Sequence, residues 1–248
     1  MSIRPVKRLI KATPTMEGAG VHLRRAFGFG NTSDFDPFLL LDDFRNERPE
    51  DYLAGFPWHP HRGIETITYV LAGTVDHADS IGNRGAIRPG DVQWMTAGRG
   101  IIHQEMPKGD AAGRMHGFQL WANLPAAQKM TAPRYQEIHA TDIPVVTEDD
   151  GTVARIICGD FFGVPGDPST ASVPIRPTWM CPCPRDGGGH FRWIPGVMRL
   201  PTSLPGRASS AMPPDPRPCR RKAEANWTSC RPLKPTIDRW YCSTAATK

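Results

Sequence analysis

The first 166 residues predict an all-β fold, a sandwich or barrel of short strands, and three observations carry that prediction. Apolar and β-branched residues come in runs of strand length, glycine and proline interrupt them often, and no helical period is found before Pro125. Glu65-Thr66-Ile67-Thr68-Tyr69-Val70-Leu71 is the clearest strand, and Gly73 ends it. Gly82-Asn83-Arg84-Gly85 and Arg88-Pro89-Gly90-Asp91 have turn chemistry, because Gly supplies positive φ and Pro presets φ. Asp91-Val92-Gln93-Trp94-Met95 and Gly117-Phe118-Gln119-Leu120-Trp121 follow as short strands, and Pro125 to Met130 allows one helical turn. Tyr135-Gln136-Glu137-Ile138 and Val153-Ala154-Arg155-Ile156-Ile157-Cys158 resume strand character on either side of a turn at Glu148-Asp149-Asp150-Gly151. Short strands between glycine turns suit a sandwich or barrel.

The chemistry is concentrated in two pairs of residues. His59 and His61 stand in Phe56-Pro57-Trp58-His59-Pro60-His61-Arg62-Gly63, and His103 and Glu105 in Gly98-Arg99-Gly100-Ile101-Ile102-His103-Gln104-Glu105. Residues i and i+2 of a strand point to one face. Each pair therefore aims two donors at one point, and two such strands supply three imidazoles and a carboxylate. A lone pair of histidines at this spacing is more often a surface coincidence. Here the spacing occurs twice, with a strand-rich stretch between that can bring the pairs together. Neutral imidazoles with one carboxylate suit a borderline divalent metal such as iron, manganese, nickel or copper. Four ligands leave positions open for catalysis.

Three longer motifs carry a resemblance. Pro60-His61-Arg62-Gly63-Ile64-Glu65-Thr66-Ile67-Thr68-Tyr69-Val70-Leu71-Ala72-Gly73, Pro89-Gly90-Asp91-Val92-Gln93-Trp94-Met95-Thr96-Ala97-Gly98-Arg99-Gly100 and Gly117-Phe118-Gln119-Leu120-Trp121-Ala122-Asn123-Leu124-Pro125 occur in the order found in pirins, a branch of the cupin superfamily. The chain resembles that family over about residues 1 to 166. The resemblance implies a bicupin fold of jelly-roll type with Fe(II), or another divalent transition metal, in the N-terminal barrel. Its ligands would be His59, His61, His103 and Glu105, the set already reached from spacing. Glu65 stands where many other cupins ligate metal, but in pirins the carboxylate comes from the second motif, so Glu65 is left out. His116 reads as an ordinary strand histidine or one behind the ligands, and His22, His77, His139 and His190 offer no comparable pairing.

Composition divides the chain. Residues 1 to 166 carry 17 Lys/Arg against 20 Asp/Glu, whereas residues 167 to 248 carry 13 against 5. The overall net charge of +5 therefore belongs to the tail and says nothing for nucleic-acid binding by the metal domain. Mean hydropathy is −0.41 and no apolar run reaches the ~18 residues of a membrane span. No apolar segment follows the charged start, so no secretory signal is visible and a cytoplasmic protein is expected.

From about Asp167 the strand grammar breaks. Eleven prolines between 174 and 218 remove ladder donors, and five of the six cysteines fall in the last 82 residues. A natural disordered tail would be poorer in Cys and Trp, and Cys181-Pro182-Cys183 lacks a partner pair at zinc-site spacing. A frameshift explains the tail better. Thr178-Trp179-Met180-Cys181 is encoded ACN-TGG-ATG-TGY, and reading from the third base gives Leu, Val or Met, then Asp, then Val. The shifted frame continues in strand-like alternation. The expected division is a metal-binding barrel over 1–130, a connection and start of a second cupin over 131–166, and an aberrant, disordered tail over 167–248. That tail should form no second barrel, bind no zinc and pair no disulfides.

Two functions follow from the resemblance. One is an iron-dependent dioxygenase of the quercetinase type, opening the central ring of a flavonol-like aromatic substrate with loss of carbon monoxide. In it Glu105 is both ligand and acceptor of the substrate hydroxyl proton. Trp58, Trp94, Met106, Phe118 and Trp121 are candidates for an apolar mouth, or plain core. The other is a non-catalytic, metal-dependent regulator of a protein partner, similar to a transcriptional co-regulator. A monomer with no membrane and no direct nucleic-acid contact is expected in both cases. A defective, frameshifted pirin is the third reading.

Overall fold

The computed structural model describes residues 8–147, 153–161 and 163–166, together with four short strands at 179–180, 192–194, 197–199 and 239–242. Two compact units are distinguished, and the site lies in the one that contains Ala12–Pro144. The other unit includes β1 (Arg8–Lys11) and Val145–Pro165.

The site-bearing unit is all-β. Its strands are β2 (Thr13–Glu17), β3 (Val21–Phe27), β4 (Phe38–Asp43), β5 (Phe56–His61), β6 (Ile64–Ala72) and β7 (Thr74–Asp79). They continue with β8 (Arg84–Ile87), β9 (Val92–Thr96), β10 (Ile101–Lys108), β11 (His116–Asn123) and β12 (Arg134–Ile138). A larger sheet has the order β12-β9-β6-β11-β4-β3-β2 and a smaller one the order β5-β10-β7-β8. One core cluster takes Val21, Leu23 and Val70 from the larger sheet and Val75 and Ile87 from the smaller, so the two sheets enclose it. This is the expected cupin-type barrel.

Parity along the strands gives the interior three layers. On β6 alternate residues run Ile64, Thr66, Thr68, Val70, and on β10 they run Ile101, His103, Glu105, Pro107. Ile64 and Ile101 join Met95 and Ala97 in one apolar cluster, and Val70 belongs to the other, with Tyr52 and Met115. A polar layer lies between them. It is there that the four proposed ligands project.

β5 carries Pro57 and Pro60, which cannot donate to a ladder on both sides, and it is the edge strand of its sheet. Gly73 makes the turn from β6 to β7 with φ of 73°. A Cβ there would come 2.6 Å from the carbonyl oxygen of Lys108 and 2.9 Å from that of Arg114, so only glycine fits both the dihedral and the space.

The expected helical turn is a 3-10 turn at Ala126–Gln128. Strand β14 (Val153–Arg155) is shorter than expected: Ile156, Ile157 and Cys158 are buried but outside the strand. It pairs with β13 (Val145–Thr147), and β15 (Asp160–Phe161) pairs with β16 (Val164–Pro165). The short strands β17 (Trp179–Met180), β18 (Arg192–Ile194), β19 (Val197–Arg199) and β20 (Arg239–Cys242) join β1, β13 and β14 in one sheet. Apart from these strands, the expectations for the tail, and those for its cysteines and His190, lie outside the described residues. Among the described residues no helix is long and apolar enough to cross a membrane.

Candidate metal centre

β5 and β10 are antiparallel neighbours, and their ladder brings the two sequence pairs together. His103 is paired with His59, and Ile101 with His61. A register shift between His103 and Glu105 sets Glu105 opposite Phe56. An irregularity of this kind re-aims a side chain without leaving the sheet.

The three imidazoles converge. One ring nitrogen from each of His59, His61 and His103 lies within 4.8 Å of the other two, a grouping that could hold a metal ion. Ring centroids are 4.4 Å apart for His59 and His103, 4.7 Å for His59 and His61, and 4.9 Å for His61 and His103. His59 Nδ1 is 2.9 Å from the carbonyl oxygen of Pro57, an atom that only accepts, so this nitrogen carries the proton. In the neutral ring Nε2 then keeps its lone pair, 3.0 Å from His61 Nε2.

Burial keeps the inner rings neutral. His61 is 9 % exposed, and burial, then the neighbouring His103 and His59, push its pKa down to about 4. His103 is 1 % exposed and is pushed down to about 3, by burial first and His59 second. Its Nε2 makes no hydrogen bond. A buried nitrogen without a partner costs about 1–3 kcal/mol, which a bound cation would offset. Neutral nitrogen donors beside a carboxylate fit a borderline divalent ion.

Glu105 is 4 % exposed, and its Oε2 lies 4.0 Å from His103 Nε2. Its carboxylate is tied to the facing sheet. Thr68 Oγ1 donates to Oε1 at 3.1 Å, and Gln119 Nε2 donates to Oε1 at 3.2 Å and Oε2 at 3.0 Å. Glu105 thus stands beside the imidazole cluster and is not part of the mutual 4.8 Å group. Glu65, which the family resemblance leaves out of the ligand set, accepts from Thr96 Oγ1 at 2.6 Å and has the opposite parity on β6 from Thr68. Thr68 and Gln119 escaped the sequence reading. The signal available was parity: Gln119 is two residues from Trp121, and Thr68 is its partner on β6.

The apolar mouth needs correction. Trp94 and Phe118 are 2 % and 1 % exposed and alternate away from Gln93 and Gln119, so they are core on the other face of the larger sheet. Trp58 is 54 % exposed. Trp121 does reach the site, its ring 4.9 Å from that of His61. A cavity beside Glu105 and Gln119 is walled by Phe56, Val75 and Met115, with Asp42 and Thr68 as its polar part.

Among the described residues, the other histidines are not part of the cluster. His116 is buried against Phe118, and burial, then Arg45, pushes its pKa down to about 3. His77 bonds Tyr135 through Nε2. His139 does find partners, contrary to expectation, because the chain beyond β12 returns it to Asp91 and Glu137.

A two-sheet barrel with three imidazoles converging inside, beside a carboxylate, defines a cupin with a site suited to a divalent metal. The pirin family model matches residues 20–122, and the likeness to pirins extends over the N-terminal two-thirds of the chain. The chain is similar to a pirin-like protein of Caulobacter vibrioides, 54% identical over 159 residues, which are 64% of this chain and 57% of that protein. Among solved structures it is similar to a quercetin 2,3-dioxygenase from Acinetobacter baumannii, with a TM-score of 0.60 and 35% identity over 66% of this chain and 60% of that one. A Geobacillus kaustophilus protein gives a TM-score of 0.57 and 43% identity, covering 67% and 64%. The chain spans little more than half the length of the curated relatives it matches.

Proposed function

We propose that this chain is a pirin-type, iron-dependent flavonol dioxygenase, with Fe(II) held by His59, His61, His103 and Glu105. The observation that carries the reading is the convergence of three imidazoles from two adjacent strands beside one buried carboxylate. The quercetin dioxygenase likeness of the fold supports the substrate class. Bound iron would supply Lewis acidity and redox chemistry toward an enolised 3-hydroxy-ketone and dioxygen.

The protein's own part is positional. β5 and β10 fix the three rings, and Trp121 packs on His61 and limits its rotation. Glu105 would serve as the carboxylate ligand and as acceptor of the substrate hydroxyl proton. Quercetin turnover by the iron-loaded chain tests the reading: loss of flavonol absorbance with release of carbon monoxide is expected. Retained iron without turnover would overturn the catalytic reading in favour of a metal-dependent binding protein acting on a protein partner.

The division into a metal-binding barrel at 1–130, a connection at 131–166 and an out-of-frame tail at 167–248 is proposed with it. The codon argument at Thr178 to Cys181 supports the frameshift, as does a similarity that extends over 64% of the chain. Sequencing the DNA across codons 160 to 185 tests it, and an intact reading frame there would overturn it.

A further inference from the structure

We infer that Gln119, aligned by Trp121, is the positioning residue that holds the Glu105 carboxylate with Oε2 toward the imidazole cluster and so sets the affinity of the metal centre. The inference rests on the proposed role of Glu105 as a ligand. Gln119 and Trp121 are two residues apart on β11 and share its inner face. Trp121 Nε1 donates to Gln119 Oε1 at 3.0 Å. An indole N–H can only donate, so the side-chain oxygen of Gln119 must face it. The amide nitrogen is thereby turned toward Glu105.

The donors on Glu105 can then be counted. Gln119 Nε2 has two protons for three acceptors, Oε2 of Glu105 at 3.0 Å, its Oε1 at 3.2 Å and Thr68 Oγ1 at 3.2 Å. The one hydroxyl proton of Thr68 goes to Oε1. A carboxylate has about four lone-pair directions. Oε1 takes the Thr68 proton and is the farther of the two from the amide, so Oε2, the oxygen nearest His103, keeps a direction open toward the imidazole cluster. Asp42, the register partner of Gln119 on β4, does not compete for the amide: Arg25 binds it through two hydrogen bonds of 2.8 and 2.7 Å. The Glu105 carboxylate is therefore held in place, Oε2 toward His103, before a metal arrives.

Cobalt(II) titration of the full chain, followed by its visible absorption, tests this. Residues behind metal ligands typically change affinity by about 10–100-fold, and that loss is expected for Gln119→Leu. Gln119→Glu keeps the shape but removes the donors, so it should lose as much, whereas a mere packing role would leave it near the original affinity. Trp121→Phe should lose less, since the amide stays but is free to turn. Added to Gln119→Leu it should cost nothing further, because the two act in series. Thermal melting of each metal-free variant separates folding from binding, and Gln119→Glu with Trp121→Phe still decides the matter if Gln119→Leu does not fold. Affinities for both Gln119 variants within about twofold of the original chain would overturn the inference alone, and so would full additivity of the Trp121 effect. No cobalt uptake by the original chain would overturn it together with the metal reading.

Discussion

His59 and His103 are register partners on adjacent antiparallel strands, and their ring centroids lie 4.4 Å apart. That single pairing turns two separate sequence patterns into one site. A slip of one residue between β5 and β10 would turn one pair of side chains to the outer face. The geometry of the centre therefore depends on the integrity of the barrel, and three predictions concern that support.

Gly73→Ala should destabilise the barrel by about 2 kcal/mol or more, through a left-handed dihedral and backbone clashes together. The atoms that would be met are the Lys108 and Arg114 carbonyl oxygens and the Met115 sulfur at 2.8 Å. A urea midpoint unchanged from the original chain would show that the turn relaxes without cost.

Arg25 binds buried Asp42 through two hydrogen bonds and also meets Glu17 at 2.9 Å. Burial raises the pKa of Asp42, and Arg25 opposes that rise. Arg25→Met should cost about 3–5 kcal/mol, because it leaves a buried carboxylate unpaired. Asp42→Asn in the same background should recover part of the loss in urea denaturation. If it recovers nothing, the stranded charge is not the cause.

The metal-free protein should lose stability in acid through its buried histidines. His61, His103 and His116 have folded pKa values pushed down by burial to about 4, 3 and 3, whereas an unfolded histidine titrates near 6.5. Below about 6.5 the unfolded chain takes up protons that the fold refuses, so stability falls with pH until those folded values are reached. The contribution is complete above that window. His116→Phe removes the one of the three groups that lies outside the metal cluster and should flatten the decline of the melting temperature between pH ~6.5 and ~5. An unchanged slope would mean that His116 is not held neutral by the fold.

Much of this was legible in the residues. Period-2 alternation marked β6, β9, β11 and β12, Gly73 marked a turn, and the repeated i,i+2 spacing marked the histidines that converge. What failed to show was anything that depends on which face looks inward. Trp94 and Phe118 are as apolar as a binding mouth, but one step of parity puts them on the face opposite Gln93 and Gln119. Gln119 and Thr68 look like ordinary strand polar residues until the facing sheet brings Glu105 to them. His139 meets Asp91 only because the chain beyond β12 passes over the turn before β9, and no local pattern encodes that return.

The central claim is that the two sequence pairs hold one metal, and iron content tests it most directly. After anaerobic loading with Fe(II) and desalting, the original chain and the His116→Ala variant should each retain about one iron per chain, while the His59→Ala/His61→Ala variant should retain almost none. Stoichiometric iron in the double variant, or its absence from the original chain, would contradict the account.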